Sequence, residues 1–543
     1  MGNRAARRGR MNEMELVLGL LVVAVALARL GKGISTPTPV LLVVAGLLLG
    51  VAWRFIPGLP RVVLDPDIVF FVFLPPLLAS AALDIPFGPF RANIRPIALL
   101  AVGLVLATMA AVGFVVHAVA PSIPLAAALA LGAIVAPPDP VAATSIARKL
   151  GLPNRLVTIL EGEGLVNDAT ALVSYQMAVT AMSTGYFSWG AAGARFIFSA
   201  SVGIAAGLLV GWAAGLALRT LHDEVLEAVT ALLAPYLAYL LADRVSASGV
   251  LAAVTVGFFL QRRSSVFGDA SARLVSRSVW ETLIFLINGA VFILVGLEIG
   301  EIASAGMPAG TLRAAALVSA VVIWVRLGWM FLVPLFLRIA LPGRGDHDIP
   351  SVRGLAVLGW AGMRGVVSLA AALSLPLQTA RGEPFPARAE LILLAFGVIF
   401  ATLVLQGLTL RPLVSALGMA DPASRKRERL IARRAAVEAA TRHIRKMLSQ
   451  GEISKREARQ LRRSLTPVSP EDMNEHEALR RARSEVLEVE RRVIHHLVQS
   501  GEIGDPAGQE LEAALDIRAM GLHLEGEREK DWQRRNEVEQ KES

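Results

Sequence analysis

The stretch ILEGEGLVNDATALVSYQ, residues 159–176, sets three carboxylates, Glu161, Glu163 and Asp168, in a run that is otherwise almost wholly apolar. An ionised carboxylate near the middle of a bilayer costs on the order of 3 kcal/mol or more, so a membrane helix that keeps several is informative about function. On a helix, Glu161 and Asp168 fall on one face, with Glu163 displaced around the axis. Gly162 and Gly164 allow a neighbouring helix to come close. Glu161, and to a lesser degree Glu163, can be read as marking the cytoplasmic end of the span. Asp168, beside Asn167, lies too deep for that.

The rest of the chain supplies the membrane that this reading needs. Of 543 residues, 54% are hydrophobic and only 18% charged, and the mean hydropathy is +0.56. A soluble domain would have to hide that balance in an implausibly large core. Apolar runs of about twenty residues, each able to cross a hydrocarbon layer of about 30 Å as a helix, recur from Met14 almost to Ser415. Strand alternation is missing, so helices must satisfy the backbone. The periodicity predicts helices at 12–30, 38–54, 67–84, 96–120, 123–148, 154–181, 193–219, 225–243, 247–261, 277–299, 311–340, 352–376 and 389–416. The fold class is therefore an all-α polytopic membrane protein of about thirteen spans with inverted repeats and two broken helices, followed by a C-terminal helical cytoplasmic domain.

The net charge of +9 does not point to nucleic acid, because the basic residues sit in short loops and in the tail without an aromatic-basic face. With the carboxyl terminus cytoplasmic, the basic bias of the loops favours an external amino terminus. Arg4, Arg7, Arg8 and Arg10 oppose that placement, which leaves twelve spans or a start at Met11 as alternatives. The division is 1–13 as a basic segment, 14–416 as the membrane domain and 421–543 as a charged helical tail. Within the tail, residues 444–465 align with 494–515, and Gly451, Glu452 and Ile453 match Gly501, Glu502 and Ile503. Each copy reads as a helix that stops at its glycine and restarts, at Ser454 with Glu457 as a capping box, or at Asp505 and Pro506. The tail's ligand stays undefined. With no cysteine, thiolate metal sites, disulfides and cysteine nucleophiles are excluded. His117 reads as a packed residue, and His443, His495 and His496 lack a metal-site context.

Two spans are interrupted. In LALGAIVAPPDPVAATSIA, residues 129–147, the prolines at 137, 138 and 140 remove amide donors that the carbonyls of Ala133, Ile134 and Ala136 would have used, and Asp139 lies within the gap. In VRGLAVLGWAGMRGVVSLAAALSL, residues 352–375, Gly359, Gly362 and Gly365 loosen the chain around Arg364. A permanently charged arginine inside a membrane needs an acidic partner. Pairing Arg364 with Glu163 leaves Asp168 free to alternate between a proton and a cation, and the carbonyls freed at the first break become available to that cation. HExxH and GxSG signatures are missing from the spans, so the chain is not read as an enzyme and needs no cofactor. A channel would also gather acids beside freed carbonyls, and saturable proton-coupled flux separates the two.

The segments IVAPPDPVAA, EGEGLVNDATAL, FLINGAVFILVGLEI and WAGMRGVVSLA, in that order, resemble the motifs of the monovalent cation:proton antiporter-1 family, the NhaP-type antiporters. The resemblance covers roughly residues 14–416. It implies thirteen helices, a homodimer with a mobile ion-binding core, and electroneutral exchange of one sodium, or alternatively potassium or lithium, for one proton in a bacterial inner membrane. Carried over residue by residue, it makes Asn167 and Asp168 the ion and proton carrier, puts Asp139 with the adjacent Pro138 at the cation site, so that Na+ sits at Asp168 and Asp139, and matches Glu163 and Arg364 to a supporting ion pair. Membrane lipids are the other expected partners. The chain departs from the pattern at Pro138, where a threonine is common, at Gly164, where a serine is common, and at Ala79 and Ser80, where many relatives carry an acid. Two side-chain oxygens expected around the cation are thus missing.

Overall fold

The computed structural model describes residues 38–53, 69–85, 87–184, 189–221, 223–267, 270–305, 310–340, 350–379, 382–421 and 438–459, with scattered positions between 19 and 29. The basic segment 1–13, most of the expected helix 12–30 and the second copy of the tail repeat lie outside them. The chain divides into two units, 1–424 and 425–543.

Among the described residues the first unit is helical. It runs α1 (Thr38–Trp53), α2 (Leu74–Asp84, entered through a wider π turn at Val69–Phe73), α3 (Phe87–Ala92), α4 (Ile94–Val119), α5 (Leu125–Val135), α6 (Pro140–Leu150) and α7 (Asn154–Thr184). It continues with α8 (Trp189–Thr220), α9 (Glu224–Arg244), α10 (Gly249–Phe267), α11 (Ala270–Ala305), α12 (Thr311–Ala340), α13 (Val352–Trp360), α14 (Val366–Leu373) and α15 (Arg388–Ala416). Among the described residues, seven helices, counting the α5–α6 stretch as one, are long and apolar enough to cross a membrane. Large apolar side chains point outward along several of them, among them Leu209 and Trp212 on α8, Leu237 on α9 and Trp324 and Phe336 on α12. Such surfaces suit contact with lipid, where burying them against protein gains nothing.

Both interruptions fall where the prolines and glycines place them. The span at 123–148 is split into α5 and α6, with Pro140 at the first position of α6, where its missing amide costs nothing. Gly151, at φ 68°, ends α6 in the left-handed conformation. The span at 352–376 is split into α13 and α14 by residues 361–365. The Ser351 hydroxyl caps the start of α13 by accepting from the Gly354 amide at 3.2 Å.

The main core gathers α4, α5, α6, α7, α13, α14 and α15, whereas α8, α9 and α10 build a smaller cluster from Ala214, Ala238, Ala252, Val256 and neighbours. The closest helix pairing joins α1 to α11. Gly46 and Gly50 on one helix face Gly296 and Gly300 on the other, each pair four residues apart. A Cβ on Gly46 would fall on the Ile293 carbonyl, and one on Gly296 would fall on the Val43 carbonyl. Bare backbone on both sides lets the helices touch, which is the packing that small-residue pairs at this spacing support in membranes.

In the second unit the capping box is in place. The Ser454 amide donates to Glu457 Oε2 at 2.7 Å, and the Glu457 amide donates to Ser454 Oγ at 3.3 Å. The Ser454 amide, and then its hydroxyl, hold the exposed Glu457 carboxyl below its ordinary pKa. The preceding helix ends at Gly451, at φ 76°, as the sequence predicts.

Because no side chain fits between α1 and α11, Gly46→Leu should lower the stability of the purified protein by about 1–3 kcal/mol, the usual cost of overpacking. Thermal unfolding in detergent measures this, and Gly19→Leu, where a Cβ meets nothing within 4 Å, is the matched control.

Candidate functional site: crossed half-helices around a carboxylate cavity

Pro137, Pro138 and Pro140 cannot donate to the last turn of α5, and the Asp139 amide, which would serve Val135, turns elsewhere. It donates to the Met363 carbonyl in the second break, at 2.6 Å. The second break returns the favour through a side chain. Arg364 Nε donates to the Val135 carbonyl at 2.9 Å, Nη2 reaches the Ala136 carbonyl at 3.5 Å, and Nη1 closes onto the Gly362 carbonyl. The Arg364 amide donates to Thr402 Oγ1 on α15 at 3.2 Å. A guanidinium thus covers the negative, carbonyl end of α5.

The amide ends of the half-helices share one carboxylate. Asp139 is the N-cap of α6, with Oδ1 accepting from the Val141 amide at 2.9 Å, and its carboxylate also lies against Gly365 at the start of α14. Val366 opens α14, so the carboxylate that caps α6 also faces the amide end of α14. Gly365 is what allows this: a Cβ there would coincide with Asp139 Oδ2.

The expected pairing of Arg364 with Glu163 is not found. Glu163, 1% exposed on α7, is held by Arg326 of α12, with Nη1–Oε1 at 2.5 Å and Nη2–Oε2 at 2.8 Å, a two-pronged contact in which both partners are buried. Arg326 also donates from Nε to the Leu358 carbonyl, near the end of α13, at 3.2 Å. The physical reason is geometric: the fork of Arg364 is occupied by carbonyls, and Arg326 approaches Glu163 with its own fork parallel to the carboxylate. The Ala136 carbonyl, expected to be available to a cation, is likewise taken up by Arg364. Glu161, also buried, is bonded to Arg148 of α6 with Nε–Oε1 at 2.9 Å.

A cavity opens beside the crossing, with about 50 Å³ of room for water-sized centres, enough for a few waters or a partly dehydrated monovalent cation. Asp139 and Asp168 both line it, Asp168 being only 4% exposed. Leu74, Leu77 and Leu78 of α2 form an apolar wall, in keeping with the lack of an acid at Ala79 and Ser80. Pro138 and Gly164 line it too. Asn167, fully buried, is not on the lining: its Nδ2 donates to the Pro138 carbonyl at 3.3 Å and braces the break against α7. The missing serine at position 164 has a steric cause, because a Cβ there would run into the ring of Pro140. Sequence reading also passed over Asn288 of α11 and Ser368 of α14, which line the same cavity. His117 is a packed residue, with Nδ1 2.8 Å from the Ile123 carbonyl.

Two interrupted helices that exchange caps at mid-span beside a carboxylate-lined cavity define a polytopic membrane protein of the secondary-transporter class. A family model described as "Sodium/hydrogen exchanger, transmembrane" matches residues 17–416, and the chain belongs to that family. It is 32% identical to a protein of Escherichia coli strain K12 named as the uncharacterized Na(+)/H(+) exchanger YjcE, over 93% of this chain and 98% of that one. Over 82% of each chain it is 31% identical to the Na(+)/H(+) antiporter ApNhaP of Aphanothece halophytica. Among solved structures, the sodium proton antiporter MjNhaP1 from Methanocaldococcus jannaschii shares the fold, with a TM-score of 0.58 at 20% identity over 75% of this chain and 99% of that one.

Breaking a buried ion pair from one side strands a charge at a cost of about 3–5 kcal/mol. Glu163→Gln and Arg326→Gln should each lose that much, while the double variant recovers a large part of it; Arg364→Gln, which removes no direct bond to Glu163, should show a smaller coupling to Glu163→Gln. Gly164→Ser should destabilise by about 1–3 kcal/mol, and adding Pro140→Ala should relieve most of the loss. Thermal unfolding of the detergent-solubilised variants gives both cycles.

Proposed function

We propose that the chain exchanges a monovalent cation, sodium in the first instance and potassium or lithium as alternatives, for a proton, one for one, by alternating access. Asp168 carries either ion in turn. On one side of the membrane it loses its proton and takes a hard cation through oxygen, and on the other the cation leaves and a proton returns. Asp139 faces the same cavity with its carboxylate fixed by the Val141 amide, adding negative potential, and the Pro138–Asn167 contact keeps the break open beside it.

The balance of buried charge at the crossing carries this proposal. Glu163 and Arg326 cancel each other in a direct ion pair, and the other charged groups at the crossing are one cation, Arg364, and two carboxylates, Asp139 and Asp168, which leaves one acid in excess. Asp168 is left over. It is neutral when protonated and neutral when ionised with one monovalent cation, so the site has the same net charge in both loaded states and each cycle moves none. A divalent ion would leave an uncompensated charge in the membrane, which is costly. The relatives named as Na(+)/H(+) exchangers and antiporters support the same assignment.

The remaining features of the proposal are thirteen spans in inverted repeats, a core of α5–α7 with α13–α14 that rocks against the rest, a homodimer embedded in lipid of a bacterial inner membrane, a cytoplasmic carboxyl-terminal domain, and no covalent catalysis or cofactor. In everted vesicles carrying a preformed proton gradient, addition of sodium should collapse the gradient with the wild-type chain and not with Asp168→Asn. Full exchange by that variant would remove Asp168 from the mechanism.

A further inference from the structure

Buried polar atoms in a folded protein are nearly always bonded, and leaving one unpartnered costs about 1–3 kcal/mol. Two such atoms belong to residues that line the cavity. Asn288 Oδ1 and Ser368 Oγ are both buried and both without a hydrogen-bond partner, and Ser368 as a whole is 1% exposed. Their residues come from different elements, α11 and α14, and line the same cavity as Asp139 and Asp168.

The state of Ser368 is unusual for a serine in this protein. A helical serine ordinarily turns its hydroxyl back to a carbonyl three or four residues earlier, as Ser145, Ser319 and Ser374 do here at 2.9, 2.7 and 2.9 Å. Ser368 stands in the first turn of α14, which starts at Val366 after a break, so no full helical turn lies beneath it to accept that bond. Its hydroxyl is left without a partner, in a residue that lines the cavity.

We infer that Asn288 and Ser368 are cation ligands that supply the two neutral side-chain oxygens missing at Pro138 and Gly164. Hard monovalent ions are held by oxygen, and a carboxylate alone does not replace a hydration shell. Position 138 is a proline without a polar group, and position 164 is closed to any side chain by the Pro140 ring. The oxygens instead come from across the crossing, an amide on α11 and a hydroxyl on α14, opposite Asp168 on α7. This inference rests on the exchange proposed above for the same cavity, and it names the residues that set affinity and selectivity.

Two measurements on the purified full-length chain test it separately from transport. The first is the rise in unfolding temperature on replacing choline chloride with sodium, lithium or potassium chloride, which reports binding by linkage. The second is exchange in proteoliposomes as a function of each cation. Asn288→Ala and Ser368→Ala should each reduce the cation-induced thermal shift and raise the apparent KM for sodium about tenfold, more than they lower the maximal rate, and should change the order of preference among the three ions. Ser368→Thr, which keeps the hydroxyl, should restore both. Unchanged KM, thermal shift and selectivity in both alanine variants would overturn the inference, as would a uniform loss for all cations that Ser368→Thr fails to rescue. A wild-type chain that binds sodium through these residues and exchanges nothing would refute the proposed exchange while leaving the ligand assignment standing.

Discussion

A helix that stops inside a membrane exposes amides at one end and carbonyls at the other, where no water can bond them. Here two such interruptions resolve each other's deficit by a swap. The Asp139 amide, lost to its own helix, bonds the carbonyl of Met363, and Arg364, the next residue along, reaches back to the Val135 carbonyl that Asp139 left behind. One contact is backbone to backbone and the other is side chain to backbone, so neither broken helix is satisfied without its counterpart. The position of the cavity, the orientation of Asp139 and the need for glycine at 365 all follow from that exchange.

The same swap explains why the site carries two arginines where one acid of α7 seems to ask for a single partner. Arg364 is committed to carbonyls and acts as a fixed charge at a helix end. Arg326, from a continuous helix, is committed to Glu163 and to the Leu358 carbonyl of α13. Each arginine holds down one carbonyl end of a half-helix, and Gly362 lies between them with no room for a side chain. Asp168 is therefore relieved of any structural pairing among the bonds seen here, which is the condition a carrier of exchangeable ions requires.

Much of this was legible in the chain. Prolines at 137, 138 and 140 and glycines at 359, 362 and 365 locate both interruptions, because lost donors and freed backbones act locally. Asp168 and Asp139 stand out because ionised groups in apolar spans are expensive wherever they face. Partnership was not legible. Arg326 sits in a continuous apolar helix that Gly328 and Pro334 do not break, although the rule that drew attention to Asp168 applies to it equally. Which of two arginines meets Glu163 depends on how α12 and α13 pack, a relation that spacing along the chain does not encode. The missing serine at 164 was visible as a departure, but its cause, the ring of Pro140, is a contact between α6 and α7. Asn288 and Ser368 are ordinary polar residues in sequence, and only their unpartnered oxygens and their place on the cavity lining distinguish them.

The pairing of α1 with α11 has a consequence for how the protein is made. The glycine faces that join these helices lie about 250 residues apart, and synthesis at about 5–20 residues per second separates their emergence by roughly 12–50 s. Through that interval α1 has reached the membrane with a groove of bare backbone and no helix to fill it. Lipid chains can line the groove, but another small-residue helix, or a second nascent copy, fits it better. Assembly of the finished bundle is thus ordered in time, with the first described helix waiting on one of the later ones, and a chain truncated before α11 would keep its most adhesive surface permanently open.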